Sequence, residues 1–340
     1  MSLPATMARP HLSSHSIFFI SKPNIHCTLH NMATILIVGG SGCVGIETTK
    51  ALLRDGHQVV SLSRGNRPLS PLANVTHVQA DILDPQSIHS ALEAHAITHV
   101  LHAAALRTTD CKKNPSQAVT VNINGTANLL EALSHYGKVE RLVFTSTAAV
   151  YKVPDDNAFV DESAPTEVLN AYTATKLAAE QLVECYSHSH NLPATILRPQ
   201  IIYGPTRGSD GSTAGITSAI YKASNGEDFT IPFGGTTYFH YSEDVGHYHA
   251  QALLHSPHHF ARYNLPGESL DVSSICQSLN TLFPKSSIHH TPLRYPFANG
   301  LIDHAFLNDF PNTQRTPLTE AIHTMTQAHP PRPLQPQRHQ

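Results

Sequence analysis

No apolar run in the 340-residue chain approaches the roughly 18 residues of a membrane span; SIFFI at 16–20 is far too short. Charge is sparse: 14% of residues are charged, and the formal net charge is −3. Lys and Arg form no long run, so there is no basic footprint for nucleic acid. Cysteine is scarce as well. The five (Cys27, Cys43, Cys111, Cys185 and Cys276) are scattered without a CxxC pair, which predicts reduced thiols rather than a disulfide framework. Histidine is abundant at 25 residues, but no HExxH-type spacing accompanies HSH (188–190) or HYH (247–249), and no metal site is expected. With 40% hydrophobic residues the chain can still bury a sizeable core.

Residues 1–31 contain no acid, five serines and two basic residues, Arg9 and Lys22, a composition that weakly resembles an organelle transit peptide. The simpler reading takes Met32, directly before ATILIVGG, as the functional start. It leaves 1–31 as a disordered or wrongly assigned leader and expects a cytoplasmic protein. The Pro-rich stretch HPPRPLQPQRHQ (329–340) reads as extended or disordered.

Between these ends, short apolar runs alternate with helical patterns. TILIVGG (34–40), QVVSLS (58–63), THVQA (76–80), THVLHAAA (98–105), RLVFTST (141–147) and ATILRP (194–199) read as strands. Helices are expected up to about Arg54, from Pro85 to His95, from Pro115 to Tyr136, and around Tyr172. This rhythm predicts an α/β protein with a Rossmann-type doubly wound parallel sheet over residues 32–198. After Pro199 the segments GPTRGSDGSTAG (204–215) and IPFGGTT (231–237) are rich in Gly and Thr. Residues 199–328 are therefore expected to form a smaller C-terminal substrate-binding lobe, returning to the sheet near 262–267.

The first strand ends in GGSGCVG, where Gly39, Gly42 and Gly45 form GxxGxxG around Cys43 and Val44. Glycines there permit a tight turn and close approach of a pyrophosphate, whose charge the helix N-terminus stabilises. An NAD-selective fold often ends its second strand in an acid, but SLSRGNR has Ser63, Arg64 and Arg67 instead. Guanidinium groups suit the 2′-phosphate of NADP, so NADP is expected, with NAD possible. The alternative is that both arginines face solvent. In YTATK, Tyr172 and Lys176 stand at i and i+4 on one helix face, where an ammonium would lower the phenol pKa and equip it for proton transfer. The plain alternative is an amphipathic helix with a surface lysine.

Taken in order, GGSGCVG, ADILD (80–84), HAAA (102–105), VNINGTANLLEA (121–132), FTSTAAVY (144–151), YTATK (172–176), LRPQIIYGP (197–205) and EDV (243–245) resemble the extended short-chain dehydrogenase/reductase family. The likeness is to its NAD(P)-dependent epimerase/dehydratase type and spans roughly 33–270. It implies Tyr172 as general acid/base and Lys176 as a nicotinamide-ribose ligand that lowers the Tyr172 pKa. Thr147, with Ser146 beside it, would bond the reacting oxygen. The resemblance also implies that Asp81 and Ile82 lie near the adenine, that Ala103, Ala104 and Ala105 border the cofactor, and that Asn122 steadies the active-site helix. A homodimer packed through the Tyr-bearing helix is a further implication.

The sequence departs from that pattern in places. Where sugar-nucleotide dehydratases carry Thr-Asp-Glu, Thr147 is followed by Ala148 and Ala149, which cannot transfer protons. Where epimerases place a diphosphate-gripping Arg, aligning Asp244 with the acid of their HVxD segment gives Thr237, with Tyr241 at the His. Lys152 replaces the glycine after VY. Arg207 or Lys222 would have to supply the missing charge. The expected function is an NAD(P)-dependent oxidoreductase acting on a hydroxyl or carbonyl carbon of a small polar sugar or sugar acid. The alternatives are a nucleotide-sugar epimerase and a non-catalytic dinucleotide-binding or RNA-associated protein.

Overall fold

The computed structural model describes residues 32–65, 74–154 and 158–327, together with the single positions 1, 72 and 156. The described residues from 32 to 327 belong to one unit, and the expected leader at 2–31 and Pro-rich stretch at 329–340 lie outside the described residues. The first strands in chain order are β1 (Thr34–Val38), β2 (Gln58–Ser63), β3 (Val75–Gln79), β4 (His99–His102) and β5 (Arg141–Thr145). They are followed by β6 (Phe159–Val160), β7 (Ala194–Arg198), β8 (Ile201–Tyr203), β9 (Phe229–Ile231) and β10 (Thr236–Tyr241). The last are β11 (Phe260–Asn264), β12 (Glu268–Asp271), β13 (Ile288–His290) and β14 (Gly300–Leu301).

Among the described residues, seven strands make one parallel sheet in the order β3-β2-β1-β4-β5-β7-β11. Its centre is apolar on both faces because helices cover both, so β4 and β7 are buried at every position. The two-residue period of β1 divides the core. Leu36 and Val38 face Ile88 and Leu92 of α2 (Pro85–His95) and Leu129 and Leu133 further on, while Ile35 and Ile37 share the other core with Leu52 of α1 (Cys43–Arg54).

The single long helix expected over 115–136 is three consecutive segments. After α3 (Thr108–Lys113) come α4 (Pro115–Ala118), a π-helical turn over Val119–Asn124, and α5 (Gly125–Tyr136). The π turn follows one extra residue per hydrogen-bonded ring and re-aims the side chains after it, as such turns do at functional positions. Helix α6 (Ala171–Ser189) starts at an Asn170 capping box, in which Asn170 Oδ1 accepts from Thr173 N at 3.0 Å.

Beyond Pro199 the chain alternates between the large sheet and a second cluster of elements. Helix α7 (Gly215–Ser224) packs with the three-stranded sheet β12-β10-β8 around Ile201, Tyr203, Ile220 and Phe239. Helix α8 (Ser242–His255) and then β11 return to the large sheet, with Val245, Tyr248 and Leu253 in the core that holds Ile35 and Leu52. Helix α9 (Val272–Leu282) and α11 (Leu318–Gln327) complete the second core, whereas Phe306 and Phe310, on and just after α10 (His304–Asp309), join the first. Among the described residues no helix is long and apolar enough to cross a membrane.

The chain winds outward from β1 to β3, then crosses back to β4 on the other side of β1. That reversal opens a crevice at the carboxyl ends of β1 and β4, where open α/β sheets bind their ligands.

Candidate active site

Backbone constraints build the β1–α1 turn at this crevice. Gly39 sits at φ +91°, and a Cβ there would lie 2.6 Å from the Ala104 backbone nitrogen. Only glycine allows both that conformation and that approach. A Cβ on Gly45 would fall 2.6 Å from Gly39 O, so the bare glycine lets α1 begin tight against the turn. Gly42 caps α1 without a side-chain bond, and no acid stands in the first turn, which leaves the helix N-terminus receptive to an anion. Cys43 and Val44 are half-buried in that turn. Desolvation pushes the Cys43 thiol up to about 11, and its Sγ lies 3.3 Å from Thr206 Oγ1.

Ser63 is half-buried at the end of β2, and Arg64 is exposed beside it with no acid at the strand end. Gln79 Nε2 donates to Arg64 O at 3.3 Å, which holds the backbone here; Arg67 lies outside the described residues. Asp81 organises its own turn, Oδ1 accepting from Leu83 N at 2.9 Å. Ile82 is buried against Gly125. Ala103 N donates to Val38 O at 2.9 Å and lines up the half-buried Ala103, Ala104 and Ala105 beside the glycine turn. Bare glycines, an uncapped helix N-terminus and small residues across the crevice together fit a dinucleotide pyrophosphate.

The Tyr-bearing end of α6 faces this region. Thr147, which caps a 3-10 turn over Ala148–Val150, accepts from Ala149 N at 3.2 Å, and its hydroxyl acts to lower the Tyr172 pKa. Ser146 Oγ beside it is buried without a partner among the described residues. Asn122 grips the loop after β4 through Leu106, accepting from its N at 2.7 Å and donating to its O at 3.1 Å. The same amide donates to Thr175 Oγ1 at 3.0 Å, and Thr175 donates to Tyr172 O at 2.9 Å. Asn122 thus ties the β4 exit to the first turn of α6.

The lowered pKa expected for Tyr172 is corrected by its surroundings. Desolvation raises the phenol to about 12; the nearby Cys111 also raises it, while Thr147 and Arg207 act downward. Lys176 is 3% exposed and donates instead to Thr145 O at 2.7 Å, with its ammonium 4.1 Å from the centre of the Phe144 ring. Burial lowers Lys176 to about 7, with Glu180 acting upward. The shared helix face put the two residues near each other, but the strand carbonyl captured the ammonium.

Of the two candidate charges for substrate, Lys222 is an exposed partner of Glu227 at the end of α7. The other, Arg207, lies close enough for its charge to act on both Tyr172 and Cys43. Arg107, which the sequence reading missed, joins it. Arg207 NH1 donates to Asp210 O at 2.9 Å and Arg107 NH1 to the same oxygen at 3.4 Å. Arg107 also faces Asp110 at 3.7 Å. Its position just after the β4 strand end was the available signal, because such loops border the crevice. Thr237, by contrast, is buried, its hydroxyl accepting from Gln200 Nε2 at 2.5 Å. Among the described residues no group of three or more His, Cys, Asp or Glu could hold a metal.

Comparisons with known proteins agree with this architecture. The family model described as the NAD dependent epimerase/dehydratase family matches residues 35–265. UDP-glucuronate 4-epimerase 4 of Arabidopsis thaliana is 29% identical over 239 residues, which cover 66% of this chain and 55% of that protein. UDP-glucose 4-epimerase of Halalkalibacterium halodurans is 34% identical over 168 residues, 48% of this chain and 49% of that one. The matches thus span about half the length of these relatives. The solved Thermus thermophilus UDP-glucose 4-epimerase in complex with NAD superposes with a TM-score of 0.76 at 24% identity, covering 86% of this chain and 98% of that chain. At this identity the likeness concerns the fold. With the family model covering the sheet and the Tyr-bearing helix alike, the chain belongs to the NAD dependent epimerase/dehydratase family.

Proposed function

We propose that the chain is an NAD(P)-dependent 4-epimerase of an anionic, nucleotide-linked sugar, with Tyr172 as the general acid/base. The observation that carries this reading is the convergence of Thr147, Tyr172 and the Arg207 guanidinium on one crevice. Thr147 orients the sugar hydroxyl oxygen, and Tyr172 takes its proton and later returns it. The bound dinucleotide would supply hydride acceptance and return. A phenol cannot accept the sugar proton, so Tyr172, raised to about 12 by burial, must first lose its own proton to solvent. Arg207 and Thr147, which both act to lower its pKa, would stabilise the phenolate that then takes the sugar proton and returns it. Asn122 keeps the helix turn in register with the crevice, and Lys176 would reach the nicotinamide ribose. Arg107 and Arg207 suit a carboxylate or phosphate on the substrate. The relatives support the sugar-nucleotide class, being UDP-glucuronate and UDP-glucose 4-epimerases by name.

A dehydrogenase of a small sugar acid, preferring NADP, is favoured by one observation. The neutral, buried Thr237 stands where a diphosphate-gripping arginine was expected. Incubation with UDP-glucuronate, UDP-glucose and free uronic acids separates the two, with products read by NMR and the nicotinamide absorbance followed throughout. Epimer formation without steady absorbance change is the expected result. Steady accumulation of reduced cofactor with a free sugar acid would replace it by the second reading, and no conversion of any of them would overturn both.

A further inference from the structure

Residues 204–214 join β8 to α7, and of them the proposed reaction uses only Arg207. Both ends of this segment are rooted beside α7. Gly204, at φ +145°, leaves no room for a side chain, since a Cβ there would collide with Ser242 Oγ. Its N donates to Thr217 Oγ1 at 3.2 Å. At the other end Tyr295 OH donates to Ser212 O at 2.8 Å, and Ala214 is buried where α7 begins.

The middle is knitted by one guanidinium. Arg207 NH1 donates to Gly208 O at 3.2 Å and to Asp210 O at 2.9 Å, and NH2 donates to Thr213 Oγ1 at 3.4 Å. Gly211, at φ +101°, turns the chain back beneath the exposed tip of Gly208, Ser209 and Asp210. The segment is therefore a preformed loop with firm roots.

Its hold on the dinucleotide side is lighter. Among the described residues two hydrogen bonds make it: Cys43 Sγ with Thr206 Oγ1 at 3.3 Å, and Arg107 NH1 to Asp210 O at 3.4 Å. A thiol bonds weakly, and the second bond is long. Cys43 is the first residue of α1, and Arg107 follows the small residues at the exit of β4. The two contacts stand on opposite sides of the cradle built by the glycine turn, so the segment crosses its mouth. A pyrophosphate drawn to the N-terminus of α1 would sit at the very turn that Thr206 touches.

We propose that residues 204–214 are a strap that latches across the dinucleotide cradle and lifts for the cofactor to enter or leave. The proposal rests on the reading of the glycine turn as the dinucleotide site, and not on which sugar is turned over. Firm roots on one side and two light contacts on the other let the strap lift as a body while its own bonds survive. Such a gate suits a reaction that borrows a hydride and returns it, because the cofactor need not leave between turnovers. The latch joins protein to protein. Loosening it should therefore speed entry and exit together and leave affinity nearly unchanged.

The test is NADH exchange on the full chain, followed by stopped-flow fluorescence. Thr206→Cys sets a second thiol against Cys43, where a shift of about 1 Å brings the sulfurs to bonding distance. Diamide takes one hydrogen from each thiol; the S–S bond forms and the diazene is reduced to a hydrazine. Bridged around bound NADH, the variant should release it at least about tenfold more slowly, and bridged empty it should bind about tenfold more slowly. Dithiothreitol should restore both rates. Cys43→Ser/Thr206→Cys, treated alike, controls for pairing with other thiols. Cys43→Ala/Thr206→Ala should raise both rates about threefold, with Kd held within about twofold. Parent-like exchange in the bridged variant, failure of the bridge to form, or an alanine pair that changes affinity through one rate alone would overturn the proposal. A parent chain that binds no NADH would overturn the dinucleotide reading, and the strap with it.

Discussion

Tyr172 rests as a phenol, because desolvation holds it near pKa 12, so it can act as the base only after losing its proton to solvent, a loss that depends on neighbours that stabilise the phenolate. Tyr172→Phe keeps the ring and its packing but removes the transferring hydroxyl. Turnover should fall by about 10² to 10⁴, with NADH affinity nearly unchanged. Retained turnover would place the chemistry elsewhere. Cofactor choice is also decided by single side chains. Arg64 is exposed at the end of β2 without an acid beside it, so Arg64→Asp should weaken NADPH binding far more than NADH binding. Equal weakening of both in a direct titration would count against a 2′-phosphate contact.

At the scale of elements, the first turn of α6 carries the proposed catalysis. It is held from two sides: by the Asn170 capping box, and by the tie running from Asn122 through Thr175 to the Tyr172 carbonyl. The π turn over Val119–Asn124 contains Asn122, and its wider ring turns that amide towards Leu106 and Thr175. Asn170→Ala removes the cap while leaving every side chain of the crevice in place. It should cost about 1 kcal/mol of stability in denaturant titration. Turnover should fall more than NADH affinity, because the frayed turn is the one that aims the phenol. A stability loss with unchanged turnover would show that Asn122 alone positions Tyr172.

For the whole molecule, acid sensitivity is set by buried neutral histidines. His102, His240 and His249 are at most 1% exposed, and desolvation lowers them to about 3, 4 and 4. Hydrogen bonds agree: Gln200 N donates to His240 Nε2 at 2.9 Å, which requires that nitrogen to be unprotonated. The folded chain therefore binds fewer protons than the unfolded chain between these values and about 6.5, and stability falls as pH drops through that window. Half-buried Glu162 and Asp244, raised by desolvation, act in the opposite direction nearer the carboxylate range. The denaturant midpoint should thus decline from pH 6.5 to 5, whereas a flat profile would mean that these rings are not held neutral.

The alternation of apolar strands with helices, and the glycine turn after TILIV, are local patterns. Chain neighbours alone dictate them, and they determined the parallel α/β sheet and the family before any contact was known. The helical register of Tyr172 and Lys176 was equally local. Where their charges act was not: a carbonyl from β5 and the desolvation of the crevice decided that, and both come from residues distant in sequence. The partnership of Arg107 with Arg207 was settled the same way, since they are 100 residues apart and meet only at the Asp210 carbonyl. Propensity and periodicity report on neighbours along the chain. Dielectric surroundings and converging charges arise only once the strands and loops have been brought together.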